Sequence, residues 1–400
     1  MLTKLKSLGP GLLYAGAAIG VSHLVQSTKA GATYGYILII AIVLAHVFKY
    51  PFFALGPRYA NKTGESLVAG YAKMGRWAVV LLLVLTLSTM FTVQAAVTIV
   101  TAGLLQHMGV SLSAVVLSLL LLVICLLILR IGNYSILDNL MKVIMIILSV
   151  STLAAFALSF SVERGVIPSA QTIFTLTKEE DLGFLLAFVG WMPAPLDIAI
   201  WHSIWTLAKG KSADNGEFDF RVGFYGTAIL GIFFLVLGAN TMYGSGEALE
   251  SSAGGFAAQL ITSFTSCLGT WSYWFITIAA FTTMFSTTLT TLDASPRSMH
   301  KTTELVFEKS FKNGYLIWSL ILISGTLSIY FFFLSDMGTL IKTATVLSFL
   351  TAPFYAVVNY ILISSKHTPK EWRPSKTLHI MSCFGILFLI GFSVWYLIIL

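Results

Sequence analysis

Apolar positions along this chain gather in runs of about 20, the length a helix needs to cross a hydrocarbon core about 30 Å thick. Such runs fall near 10–36, 37–57, 77–105, 111–130, 139–162, 182–208, 222–243, 270–293, 315–334, 338–363 and 377–399. Inside a bilayer every backbone polar group must be satisfied within the segment, so runs of this kind fold as helices. The fold class expected is all-α integral membrane, with about 11 transmembrane helices. The stretch 244–269, rich in Gly and Ser, is too polar to span. It is expected to form an external loop with a short amphipathic helix.

Two spans differ from the rest, because residues that break helices interrupt their apolar runs. Span one reads LGPGLLYAGAAIGVSHLVQSTKAGATYGY and span six reads LGFLLAFVGWMPAPLDIAIWHSIWT. Pro193 and Pro195 remove two backbone donors and clash with the preceding turn, which predicts a break in span six. Gly16, Gly20 and Ser22 permit a comparable break in span one. Displaced by 174 positions, the two segments match at Leu8 with Leu182, Gly9 with Gly183, Leu12 with Leu186 and Gly16 with Gly190. The same register sets Tyr14 opposite Phe188 and His23 opposite Asp197. Broken helices in corresponding positions are the pattern of a transporter built from two five-helix inverted repeats, with its site at the breaks. The expected organisation is one transmembrane domain over 1–400, with repeats at 1–162 and 182–363 and an additional C-terminal helix at 377–399.

Composition agrees with a bilayer as solvent: 57% of residues are hydrophobic and 10% charged, against roughly a quarter charged in soluble domains, and the mean hydropathy is +0.86. The net charge of +7 would suit an anionic partner, but the placement of the charges explains it without nucleic acid. With the N-terminus inside, eighteen of the 24 Lys and Arg, from Lys4 to Lys376, fall in cytosolic segments, and the external segments hold two, Arg164 and Lys178. Basic residues are retained on the cytoplasmic side. The expected location is therefore the cell membrane, multi-pass, with a cytosolic N-terminus and an external C-terminus. The partners are the lipid bilayer and a small solute or metal ion; the oligomeric state is left open, a monomer being compatible. Lys4 and Lys6 precede an apolar stretch as in a signal peptide, but no small-residue cleavage pattern follows, so the stretch is read as the first span. Cys125, Cys267 and Cys383 lie far apart in apolar segments and are read as packing residues, since neither a disulfide framework nor a zinc spacing can be made from them.

The first hundred residues carry a more specific pattern: Leu8, Gly9 and Pro10 open span one, Tyr34, Gly35 and Tyr36 close it, and Thr63, Gly64, Glu65 and Ser66 follow span two. Met192 and Pro193, the pair His202 and Ser203, and LSFLTAPF at 347–354 extend it. The chain resembles, over essentially its whole length, the natural resistance-associated macrophage protein (Nramp) family of divalent-metal transporters. The resemblance implies a LeuT-like fold and proton-linked metal import. At the metal site the sequence departs, because the family's Asp-Pro-Gly-Asn in span one aligns on Gly20, Val21, Ser22 and His23. In span six, aligned without gaps from His202, the family's Met falls on Pro195 and its His on Asp197. Thr351 lies near where the ligand amide of span ten is expected.

Ionisable groups in spanning helices are expensive and mark sites by default. Asp197 lies two residues past Pro195, where the free amides of a half-helix favour a carboxylate, and it suits a cation ligand or a proton acceptor as well as a plain helix cap. His23 is read either as a ligand or as a satisfied core histidine. With Asp197 and the Met192 thioether it would make a borderline metal site. Gly20, Ser22 and Thr351 complete the expected substrate site. His202 matches a family His and is expected on a proton route or in an interhelical hydrogen bond. Lys29 is expected in the external vestibule, where a fixed cation would repel divalent ions. His46 and Lys49, three apart and so on one helical face, are expected near the cytosolic end with Lys49 snorkelling. Lys342, Asp336 and Gln94 are further polar candidates, and the Thr and Ser of 282–295 are expected to bond their own helix.

No Walker A pattern, His-Glu-x-x-His or Gly-x-Ser-x-Gly occurs, so neither an ATP-driven pump nor an enzyme is expected. No cofactor is expected beyond a transported divalent metal. The leading expectation is a secondary active transporter of a small solute, a divalent cation by resemblance, coupled to protons. The alternatives are a carrier of a small organic or anionic solute and a non-transporting membrane sensor.

Overall fold

The apolar runs fold as the bilayer requires. In this computed structural model, which describes residues 8–131, 134–161, 171–210, 216–246, 250, 253–333 and 337–399, the helices are α1 (Pro10–Ala18), α2 (Thr28–Tyr34), α3 (Ile39–Thr63), α4 (Leu67–Met74), α5 (Arg76–His107), α6 (Ala114–Ile131), α7 (Tyr134–Ser159), α8 (Glu179–Trp191), α9 (Ile198–Lys209), α10 (Gly216–Thr241), α11 (Ala253–Leu268), α12 (Tyr273–Phe307), α13 (Gly314–Phe333), α14 (Met337–Ser364) and α15 (Lys376–Ile399). No strand occurs among the described residues. Nine continuous helices among them are long and apolar enough to cross a membrane. Two broken spans, α1 with α2 and α8 with α9, bring the number to eleven. Apolar side chains such as Ile40, Val84, Leu127 and Leu387 are exposed on the outside, as a lipid-facing surface demands.

Several elements differ from expectation. Helix α11 is the short helix expected in the 244–269 stretch, but α4 has no counterpart among the apolar runs; Ser66 caps it by accepting the Ala69 amide at 3.3 Å. Span eight continues past Asp293 to Phe307, because Asp293 with Arg297 and Lys301 with Glu304 form ion pairs one turn apart along the polar extension. Cys125 is buried, whereas Cys383 sits exposed on the last span and does not pack the interior. Asp336, Arg164, Lys4, Lys6, Lys211 and the side chain of Cys267 lie outside the described residues.

Span one is fixed against span seven (α10) by close backbone contact at both ends. A Cβ on Gly223 would lie 2.1 Å from the Gly11 carbonyl oxygen, and one on Gly238 would lie 2.1 Å from that of Thr28. Only glycine permits such an approach. Asp219 of α10 then caps span one from outside the helix, accepting the amides of Gly9 and Gly11 at 2.9 and 2.8 Å. These are two of the donors left orphaned at a helix N-terminus.

Candidate functional site

Helix α8 stops at Trp191 and α9 starts after Asp197, with Met192 to Leu196 non-helical between them. The prolines remove donors there, which leaves the carbonyls at the end of α8 short of amide partners, although the Val189 oxygen keeps the Met192 amide at 3.3 Å. Lys49 supplies donors instead. It is fully buried, and its Nζ donates to the carbonyl oxygens of Val189, Gly190 and Met192 at 2.7, 2.9 and 3.0 Å. The snorkelling lysine expected at the membrane edge is thus a lysine at the break itself. Pairing with carbonyls 140 or more positions away cannot be read from local spacing.

In span one α1 ends at Ala18, Ile19 and Gly20 are non-helical, and the chain resumes as a π-helical turn, Val21–Ser27, before α2. Here too the freed carbonyls are served by another span. Thr287 of α12 donates toward the oxygens of Gly16 and Ile19 at 3.1 and 3.2 Å, and Ser286 toward Gly16 at 3.2 Å. The hydroxyls of span eight bond their own helix as expected, Ser286 to the Thr283 oxygen at 2.7 Å and Thr283, Thr288 and Thr290 likewise, and Ser286 and Thr287 also come within reach of span one. A Cβ on Gly20 would lie 2.6 Å from Thr287 Oγ1, so Gly20 leaves space for that hydroxyl.

His23 is buried with both ring nitrogens engaged. Nδ1 lies 2.7 Å from Ser22 Oγ and Nε2 lies 3.1 Å from the Thr227 carbonyl oxygen. A carbonyl only accepts, so Nε2 carries a hydrogen. Ser22 Oγ also reaches the Ala18 oxygen at 2.8 Å. Thr227 of span seven ties in His46 as well, whose Nε2 lies 3.3 Å from Thr227 Oγ1. Met192 and His23 converge on one glycine: a Cβ on Gly231 would lie 3.5 Å from both Met192 Sδ and His23 Cδ2.

Asp197 is buried at the N-cap of α9, but its side chain makes no capping hydrogen bond and Oδ1 has no partner. No ion pair joins it to His23. Among the described residues no group of three or more His, Cys, Asp and Glu side chains is placed to hold a metal ion. Both ring nitrogens of His202 are without partners; the ring stacks on Tyr14 at 5.6 Å, and the Tyr14 hydroxyl is also unpartnered. The interhelical hydrogen bond expected of His202 is not formed. Thr351 donates back to Ser348 within α14, and it is Thr345 and Phe349, earlier on the same helix, that lie against Gly190. Gln94 donates to the Thr288 carbonyl oxygen at 3.3 Å and bridges spans three and eight.

Between the breaks, Gly20, Ser22, Trp191, Pro195 and Thr287 line a cavity of about 30 Å³, room for one or two waters. Beyond it a cavity of about 520 Å³ holds Lys29 and Lys342 together with Glu179, Glu180 and Glu250. Lys29 thus shares its cavity with a second lysine and three glutamates, a lining of mixed charge.

A family model described as natural resistance-associated macrophage protein-like matches residues 11–399. The chain belongs to the Nramp family. It is 35% identical to an uncharacterized protein of Pasteurella multocida (strain Pm70) over 99% of this chain and 92% of that protein. Among solved structures it is similar to the Eremococcus coleocola manganese transporter, with a TM-score of 0.67, 15% identity and coverage of 100% of this chain and 95% of that one. A Na⁺-coupled sialic acid symporter aligns with a TM-score of 0.62 at 15% identity, over 97% and 89% of the two chains. Mhp1, a nucleobase-cation-symport-1 family transporter, aligns at 0.63 with 12% identity over 98% and 92%. The fold is LeuT-like, and the chain is a multi-pass membrane protein of a secondary transporter family.

Sequence reasoning passed over Thr227, which joins His23 to His46, and Gly231, which receives Met192 and His23. One signal was present. Gly223, Gly231 and Gly238 recur at seven or eight positions and so share one face of span seven.

Proposed function

We propose that this chain carries a small organic or anionic solute by alternating access around the breaks of spans one and six, and that a bare divalent cation is not its cargo. The observation that supports this reading is that carbonyl oxygens at both breaks already have a donor of the chain's own within reach, the Thr287 hydroxyl at one and the Lys49 ammonium at the other. A metal ion held in a helix break draws on such oxygens. A divalent ion about 5 Å from the Lys49 ammonium would be opposed by roughly 7 kcal/mol at an effective dielectric of about 20. The single carboxylate of Asp197 at a like distance offsets about as much and leaves no surplus for binding. The mixed charges of the vestibule, three glutamates and two lysines, suit a zwitterion. A fold shared with a symporter of sialic acid and with a manganese transporter leaves the cargo to the site.

Flux into proteoliposomes tests this. Uptake of Mn²⁺ and Mg²⁺, followed with internal indicator dyes, is expected at the level of empty vesicles, while a panel of labelled organic acids, amino acids and inorganic anions is expected to contain a saturable substrate. Saturable Mn²⁺ or Mg²⁺ uptake that Asp197→Asn abolishes would overturn the reading. Absence of flux for every member returns the sensor alternative.

A second reading, proton-linked divalent-cation transport, is favoured by the unpartnered Asp197 Oδ1 and by the meeting of Met192 sulfur and His23 at Gly231. Calorimetric titration of Mn²⁺, Zn²⁺ and Mg²⁺ into wild type and Asp197→Asn separates the two, since only this reading expects binding that the substitution removes. Asp197 would then also be the proton acceptor.

A further inference from the structure

We infer that the Lys49 ammonium fills a monovalent-cation site at the break of span six, so that the chain supplies this cation covalently and needs none from solution to hold the broken span. The inference rests on the breaks being the transport site, and is independent of which solute is carried.

Three carbonyl oxygens, those of Val189, Gly190 and Met192, surround one centre at 2.7 to 3.0 Å. Those of Val189 and Gly190 belong to the last turn of α8, where the helix dipole leaves partial negative charge, and that of Met192 to the residue just past it. The distances exceed the roughly 2.3–2.6 Å of Ca²⁺ and 2.0–2.1 Å of Mg²⁺, and suit an ammonium or a large monovalent ion. Three acceptors match the three N–H donors of a protonated lysine, whereas a neutral amine has only two, so the arrangement suits the ammonium. No carboxylate lies within ion-pair distance of Nζ among the described residues, and the charge is balanced by backbone dipoles alone. His46, one turn earlier, does not compete for these oxygens; its Nδ1 lies 2.8 Å from the Ile42 oxygen and its Nε2 faces Thr227 Oγ1.

The stem of Lys49 cannot withdraw while span two stays docked. Seven residues on, a Cβ on Gly56 would lie 2.2 Å from the Ala199 carbonyl oxygen, so span two meets the first turn of α9 backbone to backbone. Span two thus grips both halves of span six. The ammonium joins it to the end of α8 and Gly56 joins it to the start of α9. A site of three carbonyls is what a free Na⁺, K⁺ or NH₄⁺ would occupy if the side chain were absent.

The test is thermal unfolding of the purified full chain in choline chloride, with Na⁺, K⁺, NH₄⁺ or n-propylammonium exchanged in at constant ionic strength. Wild type is expected to melt at the same temperature in all of them. Lys49→Ala is expected to melt several degrees lower in choline and to recover at least half of the loss, saturably, in n-propylammonium or in one of the smaller cations. Propylammonium is the fragment that the substitution deletes. Lys49→Met, whose side chain refills the space without a charge, is expected to lose stability and to recover none of it with any cation. A wild type stabilised saturably by Na⁺ or K⁺ over choline overturns the proposal, and that arm needs no variant to fold. Lys49→Ala that keeps wild-type stability, or loses stability that no cation restores, overturns it equally. None of these readouts uses the solute, so failure of the solute panel and failure of this proposal are separate results.

Discussion

Asp293 shows how one buried carboxylate holds three spans. Its Oδ2 accepts Trp205 Nε1 of α9 at 3.0 Å, while Oδ1 accepts Arg297 Nε at 2.6 Å and the Tyr315 hydroxyl of α13 at 3.3 Å. Arg297 also lies over the Tyr315 ring, 4.9 Å from its centroid, within the range of a cation–π contact. Removing the carboxylate strands a charge and two donors. A fully buried pair broken in this way costs about 3–5 kcal/mol, and about 2–3 kcal/mol is the better expectation here, because the Arg297 side chain is 37% exposed. Asp293→Ala should therefore lower the unfolding midpoint in detergent by that amount, and Tyr315→Phe, which deletes only the weakest bond, by less than about 1 kcal/mol. Equal losses in the two variants would remove Asp293 from the centre of the node. Thr287→Val is a sharper case at the transport site. It leaves the Ile19 oxygen without its span-eight donor, at about 1–3 kcal/mol, while keeping the volume beside Gly20, so a melting scan reads the hydrogen bonds alone.

Among the elements, span seven determines how far span one can move. Its glycines lie against the two ends of span one, Gly223 at Gly11 and Gly238 at Thr28, and Asp219 takes the first amides of that span. Gly223→Ala and Gly238→Ala each place a methyl about 2.1 Å from a carbonyl oxygen, which forces the helices apart and should cost at least about 1–3 kcal/mol. Gly226→Ala, on the same helix with no atom within 4 Å of its added Cβ, should be neutral or more stable by about 0.5–1 kcal/mol. Denaturation midpoints of the three variants check this, and a tolerant Gly223 would mean that spans one and seven are not locked. The outer end of span one is tied down separately. Tyr34 donates to Asp181 Oδ1 at 2.9 Å, and Asp181 Oδ2 accepts the Thr175 amide at 2.8 Å.

For the whole molecule, the distribution of Lys and Arg predicts which face is cytosolic. In a Cys383→Ser background, Leu176→Cys should react with an impermeant maleimide from outside intact cells, and Phe311→Cys only after lysis. Both side chains are exposed, at 52% and 37%, so accessibility within the protein does not decide the outcome. Labelling in the opposite sense would invert the topology.

Hydrophobic period and length determined the spans, because a bilayer leaves the backbone no other way to satisfy itself. The break in span six was legible in two prolines, and the family in the residues opening and closing span one. What local sequence could not carry was the use made of the freed carbonyls. His46 and Lys49 share a face by spacing, but nothing nearby says that Lys49 ends on oxygens in span six. The hydroxyls of span eight bond their own helix, as their spacing suggests, and nothing local says that Thr287 also reaches span one. The register paired His23 with Asp197, yet His23 turned to Thr227 and Met192, and Asp197 kept an unpartnered oxygen. Spans and breaks are properties of a segment and its solvent, so they are written locally. Which donor reaches which acceptor depends on the packing of helices far apart in sequence, and only the tertiary structure decides it.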